Sequence, residues 1–163
     1  MIFKTQINKK PTYFVDKIWK SLQPVELAEY IAHIDGKYLA PMCKISDINA
    51  KLHTIRTDKK NRWKKGVLID FFINARQKNT FRFAPRIPVL ATQEIYMTYA
   101  FNDIIEITIG GRYIYDFKEK EQLAINDGFD SYDEFFNYFY PIIKSSENDF
   151  YMGKIIHWTD LRY

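Results

Sequence analysis

Apolar residues recur at Phe14, Ile18, Trp19 and Leu22, a spacing that draws one buried stripe along a helix, and Thr12 stands just before it as a capping residue. Pro24 suits the first turn of a second helix, with Leu27, Ile31 and Ile34 facing inward and Asp35-Gly36 ending it. From Tyr38 to Asn49 the pattern is irregular, and Pro41 breaks any regular element. Ile2 to Ile7 predicts a short opening strand. The middle of the chain is rich in strand formers. Val67 to Ile73 is a β-branched and aromatic run, Phe81 and Phe83 flank Arg82, and Pro85 and Pro88 confine their segment to a sheet edge or a loop. Val89 to Tyr99 and Ile104 to Ile109 predict strands, and Gly110-Gly111 predicts a hairpin turn into Arg112 to Tyr115.

Two helices follow. Lys118 to Asn126 ends at Asp127-Gly128. Ser131-Tyr132-Asp133-Glu134 is a capping box, whose acids also suit the positive end of the helix dipole; Phe135, Phe136 and Phe139 form the buried face behind it. Phe150 to Trp158 predicts a closing strand. Strands dominating the middle and end, with helices on one side, predict an α+β fold or a small barrel decorated with helices.

Length and composition narrow the class. A chain of 163 residues with 47% apolar content predicts one domain with a sizeable core, residues 1–163. The single cysteine, Cys43, has no partner for an intramolecular disulfide, and a reducing compartment fits. The opening Met1-Ile2-Phe3-Lys4 lacks a signal-peptide layout, and no apolar run approaches the ~18 residues of a membrane helix, so the reading is a soluble, cytoplasmic protein without membrane contact. His33, His53 and His157 are scattered, without the spacing of a metal site, and no cofactor motif is present; Gly110-Gly111 is only a turn.

Charge is uneven although the net value is only +4. Eleven Lys/Arg stand against two acids from Lys51 to Arg86, and four against eleven from Asp103 to Asp149. A basic face of this kind favours nucleic acid or a phosphorylated ligand. The densest chemistry lies in Lys51-Leu52-His53-Thr54-Ile55-Arg56, an amine, an imidazole, a hydroxyl and a guanidinium within six residues.

Lys51, Thr54, Ile55 and Arg56, followed by Lys65-Gly66 and an apolar strand, resemble the opening motif of the ASCH family of PUA-like domains. Ala124-Ile125-Asn126-Asp127-Gly128-Phe129 resembles that family's acid-glycine segment, and Gly153 to Thr159 resembles its final barrel strand. The likeness spans roughly Asn49 to the C-terminus, with Phe14 to Leu22 resembling the helix that leads into the motif. About 25 residues separate that helix from the motif where the family has a short glycine-containing link, so the resemblance implies a helical insertion at 23–49, and Asp127 stands where hydrolytic members carry glutamate. The resemblance implies a PUA-like β-barrel with flanking helices and a cleft for RNA or a nucleoside-type ligand.

Some small members of the family are N4-acetylcytidine amidohydrolases, and likeness to them maps their lysine, threonine and acid onto Lys51, Thr54 and Asp127. That chemistry needs a base to deprotonate the Thr54 hydroxyl, and Lys51 serves only with a lowered pKa, by burial or a nearby cation such as Arg56. Residues three apart on one strand face opposite ways, so Lys51 must precede the strand for the two to meet. In the binding alternative Lys51 and Arg56 hold anionic or carbonyl oxygens, Thr54 gives a hydrogen bond and Asp127 reads a donor edge. Arg62, Lys64, Arg76, Arg82 and Arg86 then extend the patch, and Trp63 stacks on an unpaired base. Each has a structural alternative: Trp63 as packing, Arg56 in an ion pair with Asp127 or Asp58, Thr54 bonded to backbone. A protein-interaction module using the basic and acidic faces is the third functional reading.

Overall fold

The structure is a computed structural model that describes residues 1–22, 47–100 and 104–163. The predicted helix from Pro24 and most of the 23–49 insertion lie outside the described residues, as does Cys43.

The frame is a five-stranded antiparallel sheet built on β-alternation. Strand β8 (Ala91–Ala100) is its longest member. It pairs on one side with β9 (Ile104–Ile109) and on the other with β11 (Phe150–His157). Beyond these lie β10 (Arg112–Tyr113) and β3 (His53–Arg56), giving the order β10-β9-β8-β11-β3. Alternation is plainest in β9, where Ile105, Ile107 and Ile109 are buried and Ile104 is exposed. Gly110 and Gly111, both at positive φ, make the turn into β10 as predicted.

Helices α1 (Phe14–Ser21), α2 (Phe117–Asn126) and α3 (Tyr132–Lys144) complete the described elements with a short 3₁₀ turn at Glu147–Asp149. Helix α3 packs on β8, β9 and β11. Its residues Phe135, Phe139 and Ile143 join Ile55, Ile95, Met97 and Ile155 in one core. A second core gathers Phe3, Phe14, Ile18, Trp19, Phe71, Phe83, Ile156 and Trp158. Adjacent residues Ile155 and Ile156 feed the two cores, as opposite faces of one strand must.

Several local expectations change in detail. The run from Val67 to Ile73 is two short strands, β4 (Leu68–Ile69) and β5 (Phe72–Ile73), because each finds a different partner. Strand β4 pairs with β7 (Ile87–Pro88) and β5 with β6 (Phe81–Arg82). The opening segment forms a small hairpin, β1 (Gln6–Ile7) with β2 (Lys10–Pro11). Thr12 is not the residue before α1. Tyr13 occupies that place at φ +52° without a side-chain cap, while the Thr12 hydroxyl donates to the Lys4 carbonyl at 2.7 Å and accepts weakly from Phe14 N at 3.4 Å. The capping box forms: Ser131 Oγ accepts from Glu134 N at 3.3 Å, and Glu134 Oε2 accepts from Asp130 N, one residue earlier than the motif predicts.

The fold is thus α+β. No closed barrel forms among the described residues: β10 and β3 are the edges of the sheet, and the hairpins pair separately from it. Among the described residues no helix is long and apolar enough to cross a membrane, and no cluster of His, Cys, Asp or Glu is arranged to hold a metal ion.

Candidate functional site

Strand β3 is an edge strand, so its outer backbone groups need partners other than a neighbouring strand. Asp127, at the C-terminal end of α2, supplies one: its Oδ1 accepts from Ile55 N at 3.0 Å. Leu52 N donates to the Asn126 carbonyl at 2.8 Å, and Lys51 N donates to the Lys17 carbonyl of α1 at 2.9 Å. Lys51 therefore lies in the loop before β3, the placement that lets it share a site with Thr54.

The Lys51 side chain is buried between these elements. Its Nζ donates to Asp127 Oδ1 at 2.9 Å and also to the Asp127 carbonyl, and it lies 4.7 Å from the centre of the Phe14 ring. Gly128 makes the room. At φ +93°, a Cβ there would stand 2.9 Å from Lys51 Cδ and 3.0 Å from Phe14 Cε1. Burial strips water from the ammonium and pulls the Lys51 pKa down to about 8, against the opposing pull of Asp127; Arg56 and Lys17 add to the lowering. Burial pushes the Asp127 carboxyl up, but the Lys51 charge and the His53 ring outweigh it and hold it below its ordinary value.

Lys51, Thr54, Arg56 and Asp127 line one cavity of about 210 Å³, walled by Phe14, Phe129, Tyr138 and Tyr151. Thr54 and Arg56 share a face of β3 as alternation requires. The Thr54 hydroxyl makes no hydrogen bond among the described residues. Asp127 Oδ2 takes part in none of the contacts that hold Oδ1. Arg56 Nη2 donates to the Ile2 carbonyl at 2.8 Å and its guanidinium lies 5.3 Å from the Phe3 ring centre, while its buried Nε has no partner. It forms no ion pair with Asp127 or Asp58. Asp58 instead accepts from Arg62 N and Trp63 N and pairs with Lys154 at 3.4 Å.

The outer basic residues do not line this cavity. Trp63, at 6% exposure, belongs to the core, with Arg62 laid over its ring at 4.7 Å, which fits its packing alternative. Arg82 and Arg86 both pair with Asp70, at 3.5 and 2.8 Å, which neutralises part of the predicted patch. Lys64 and Arg76 are exposed.

Sequence reasoning passed over a third layer. His53 Nε2 lies 2.6 Å from Tyr163 Oη, and its Nδ1 is 3.6 Å from Asp127 Oδ1. Asn126 Nδ2 donates to the same Tyr163 oxygen at 2.9 Å. His157 stacks edge-on against His53 at 5.4 Å, with neither ring nitrogen hydrogen-bonded. The register His157↔His53 across β11 and β3 puts the two rings side by side. Proximity of His53 to Lys51 in the chain was a usable signal; nothing in the sequence pointed to Tyr163.

No protein-family model matches the chain, and no curated protein or solved structure matches it.

Proposed function

We propose that the Lys51–Asp127 cavity binds a nucleoside-type ligand, either free or as an unpaired base of RNA. The observation that carries the reading is the convergence of four polar side chains on one cavity with bonding capacity left over. Among the described residues Thr54 has an unbonded hydroxyl, Asp127 an unengaged Oδ2, and the Lys51 ammonium a third hydrogen beyond its two bonds to Asp127. Donor and acceptor groups in an aromatic-walled space suit the hydrogen-bonding edge of a base. The ~300–1,000 Å³ usual for drug-sized ligands is larger than this cavity, which suits one base better than a duplex. On this reading the chain is an ASCH-related, PUA-like domain. In support, the three stretches that carry the resemblance meet: β11 pairs with β3, and Asp127 binds the free edge of β3.

Titration calorimetry with cytidine, uridine and short single-stranded RNA tests the reading. Saturable binding that is lost in Asp127→Asn and Lys51→Met supports it; no heat with any of them at millimolar concentration counts against it.

A second reading has its own observation, a Thr54 hydroxyl unbonded among the described residues and in one cavity with a lysine whose pKa burial lowers to about 8. Neutral Lys51 would take the Thr54 proton as Oγ adds to the acyl carbon of an N4-acylated cytidine. It would return that proton to the departing amine, leaving an acyl ester for water to cleave. Chromatography of N4-acetylcytidine incubated with the protein decides it: release of cytidine that Thr54→Ala abolishes supports hydrolysis, and none at high protein concentration removes it.

A further inference from the structure

We infer that His53 is a positioning residue for Asp127: Tyr163 locks it in the tautomer with hydrogen on Nδ1, making it the reserve donor to the carboxylate that Lys51 holds. The inference rests on the cavity described above but not on the identity of its ligand.

The direction of each hydrogen in the chain follows from its neighbours. Gln122 Nε2 donates to Asn126 Oδ1 at 2.9 Å, which leaves Asn126 Nδ2 as the donor to Tyr163 Oη. Burial holds the Tyr163 phenol protonated, so its one hydrogen is free to point at His53 Nε2, 2.6 Å away. His53 is fully buried and held neutral by that burial, so it carries a single ring hydrogen. With Nε2 accepting, that hydrogen is on Nδ1; the tautomer is assigned from the network. Among the described residues Nδ1 has no hydrogen-bond partner, and it lies 3.6 Å from Asp127 Oδ1, beyond hydrogen-bond length.

A buried, directed and unengaged N–H beside an ion pair is a poor choice if the pair never changes. It has a use if Lys51 gives up its proton or turns to a ligand. Asp127 then loses its counter-charge in a water-poor site, and a small turn of the carboxylate brings Oδ1 to the waiting Nδ1–H. The other groups near Lys51 give less help. Lys17 is occupied by the Gly128 carbonyl and Asp130, Arg56 points to the Ile2 carbonyl, and Tyr138 and Tyr151 line the cavity with phenols that burial keeps protonated. His157, beside His53, is itself held neutral. The far end of the chain is open: Asn126, Gln122 and Tyr163 line a separate surface cavity of about 270 Å³, where the network meets solvent.

The test is NMR of the Lys51 Nζ resonance across a pH series, on lysine-labelled protein without ligand, so that it stands or falls separately from the nucleoside reading. His53→Leu removes the reserve donor, so neutral Lys51 leaves a barer carboxylate and the Lys51 midpoint moves up by about one pH unit. His53→Gln, whose amide donates to Asp127 and accepts from Tyr163, brings it back toward the parent value. Tyr163→Phe frees the tautomer and gives a smaller upward shift; being at the half-buried rim, it carries the test alone if His53→Leu does not fold. A parent-like midpoint in Tyr163→Phe, or a His53→Gln midpoint no lower than that of His53→Leu, overturns the inference.

Discussion

Asp127 Oδ1 stands 2.9 Å from Lys51 Nζ and 3.0 Å from the Ile55 amide, so one carboxylate oxygen ties the loop before β3 to the free edge of β3. Both side chains are almost wholly buried. A buried pair of this kind costs heavily in desolvation, and removing one partner leaves the other charge uncompensated. Asp127→Ala, which strands both the ammonium and the Ile55 amide, is expected to destabilise the protein by about 3–5 kcal/mol in urea denaturation. Lys51→Met is expected to cost less, because Asp127 keeps the Ile55 amide and gains access to His53. Equal losses from the two variants would mean that the pair, and not the strand edge, is what Asp127 supports.

Gly128 gives a sharper geometric test. Its φ of +93° strains any L side chain, and the space a Cβ would take is already held by Lys51 Cδ and Phe14 Cε1. Gly128→Ala is expected to cost about 1–3 kcal/mol and to displace the Lys51 side chain from Asp127. Weakened ligand binding should accompany the loss of stability. A variant with parent-like stability would show that the backbone at this position relaxes freely.

How far the sequence revealed this site depended on the range of the interactions. Strand β9, the Gly110-Gly111 turn and the Ser131 cap were legible because each is set by residues close in sequence. The Lys51, Thr54, Arg56 and Asp127 grouping came from a motif resemblance, and the constraint that Lys51 precede the strand came from β-geometry alone. The division of Val67 to Ile73 was not legible, because it depends on which distant segment pairs with each half. Nor was the role of Trp63, whose burial is decided by the core around it. Charge patterning did not reveal that Arg82 and Arg86 share Asp70 as a partner, since Asp70 lies on a neighbouring segment of the same hairpin system.

Trp63 separates packing from recognition. Its ring is buried in the core around Phe71 and Trp158, and its backbone carbonyl accepts from Lys154 at 3.2 Å. Trp63→Ala is expected to lower stability by about 3–5 kcal/mol, in the range for removing a large buried aromatic. In a folded sample the affinity for a nucleoside should stay within about threefold of the parent, an energy change of under ~1 kcal/mol. A large affinity loss without a change in stability would return Trp63 to the binding surface.

The dependence of stability on pH follows from which state holds each proton. His157 is wholly buried without a hydrogen-bond partner, and burial holds its pKa down at about 3; His53 is lowered for the same first reason. Below the ordinary histidine value of about 6.5, unfolded chains take up these protons and the native state does not. The His157 contribution is therefore complete above pH ~6.5 and falls as the pH drops toward 3, by up to about 1.4 kcal/mol per pH unit, and His53 acts in the same direction. On the alkaline side Lys51, lowered to about 8, makes stability rise with pH between about 8 and 10.5, because there the unfolded chain holds the extra proton. Above pH ~10 the sign reverses for Tyr151, raised to about 12 by burial, and for Tyr163, whose phenols stay protonated in the native state after those of the unfolded chain have ionised. Urea denaturation at pH steps from 4 to 10 measures the profile, and His157→Leu should flatten the acid limb. An acid limb of unchanged slope in that variant would assign the loss to the carboxylates instead.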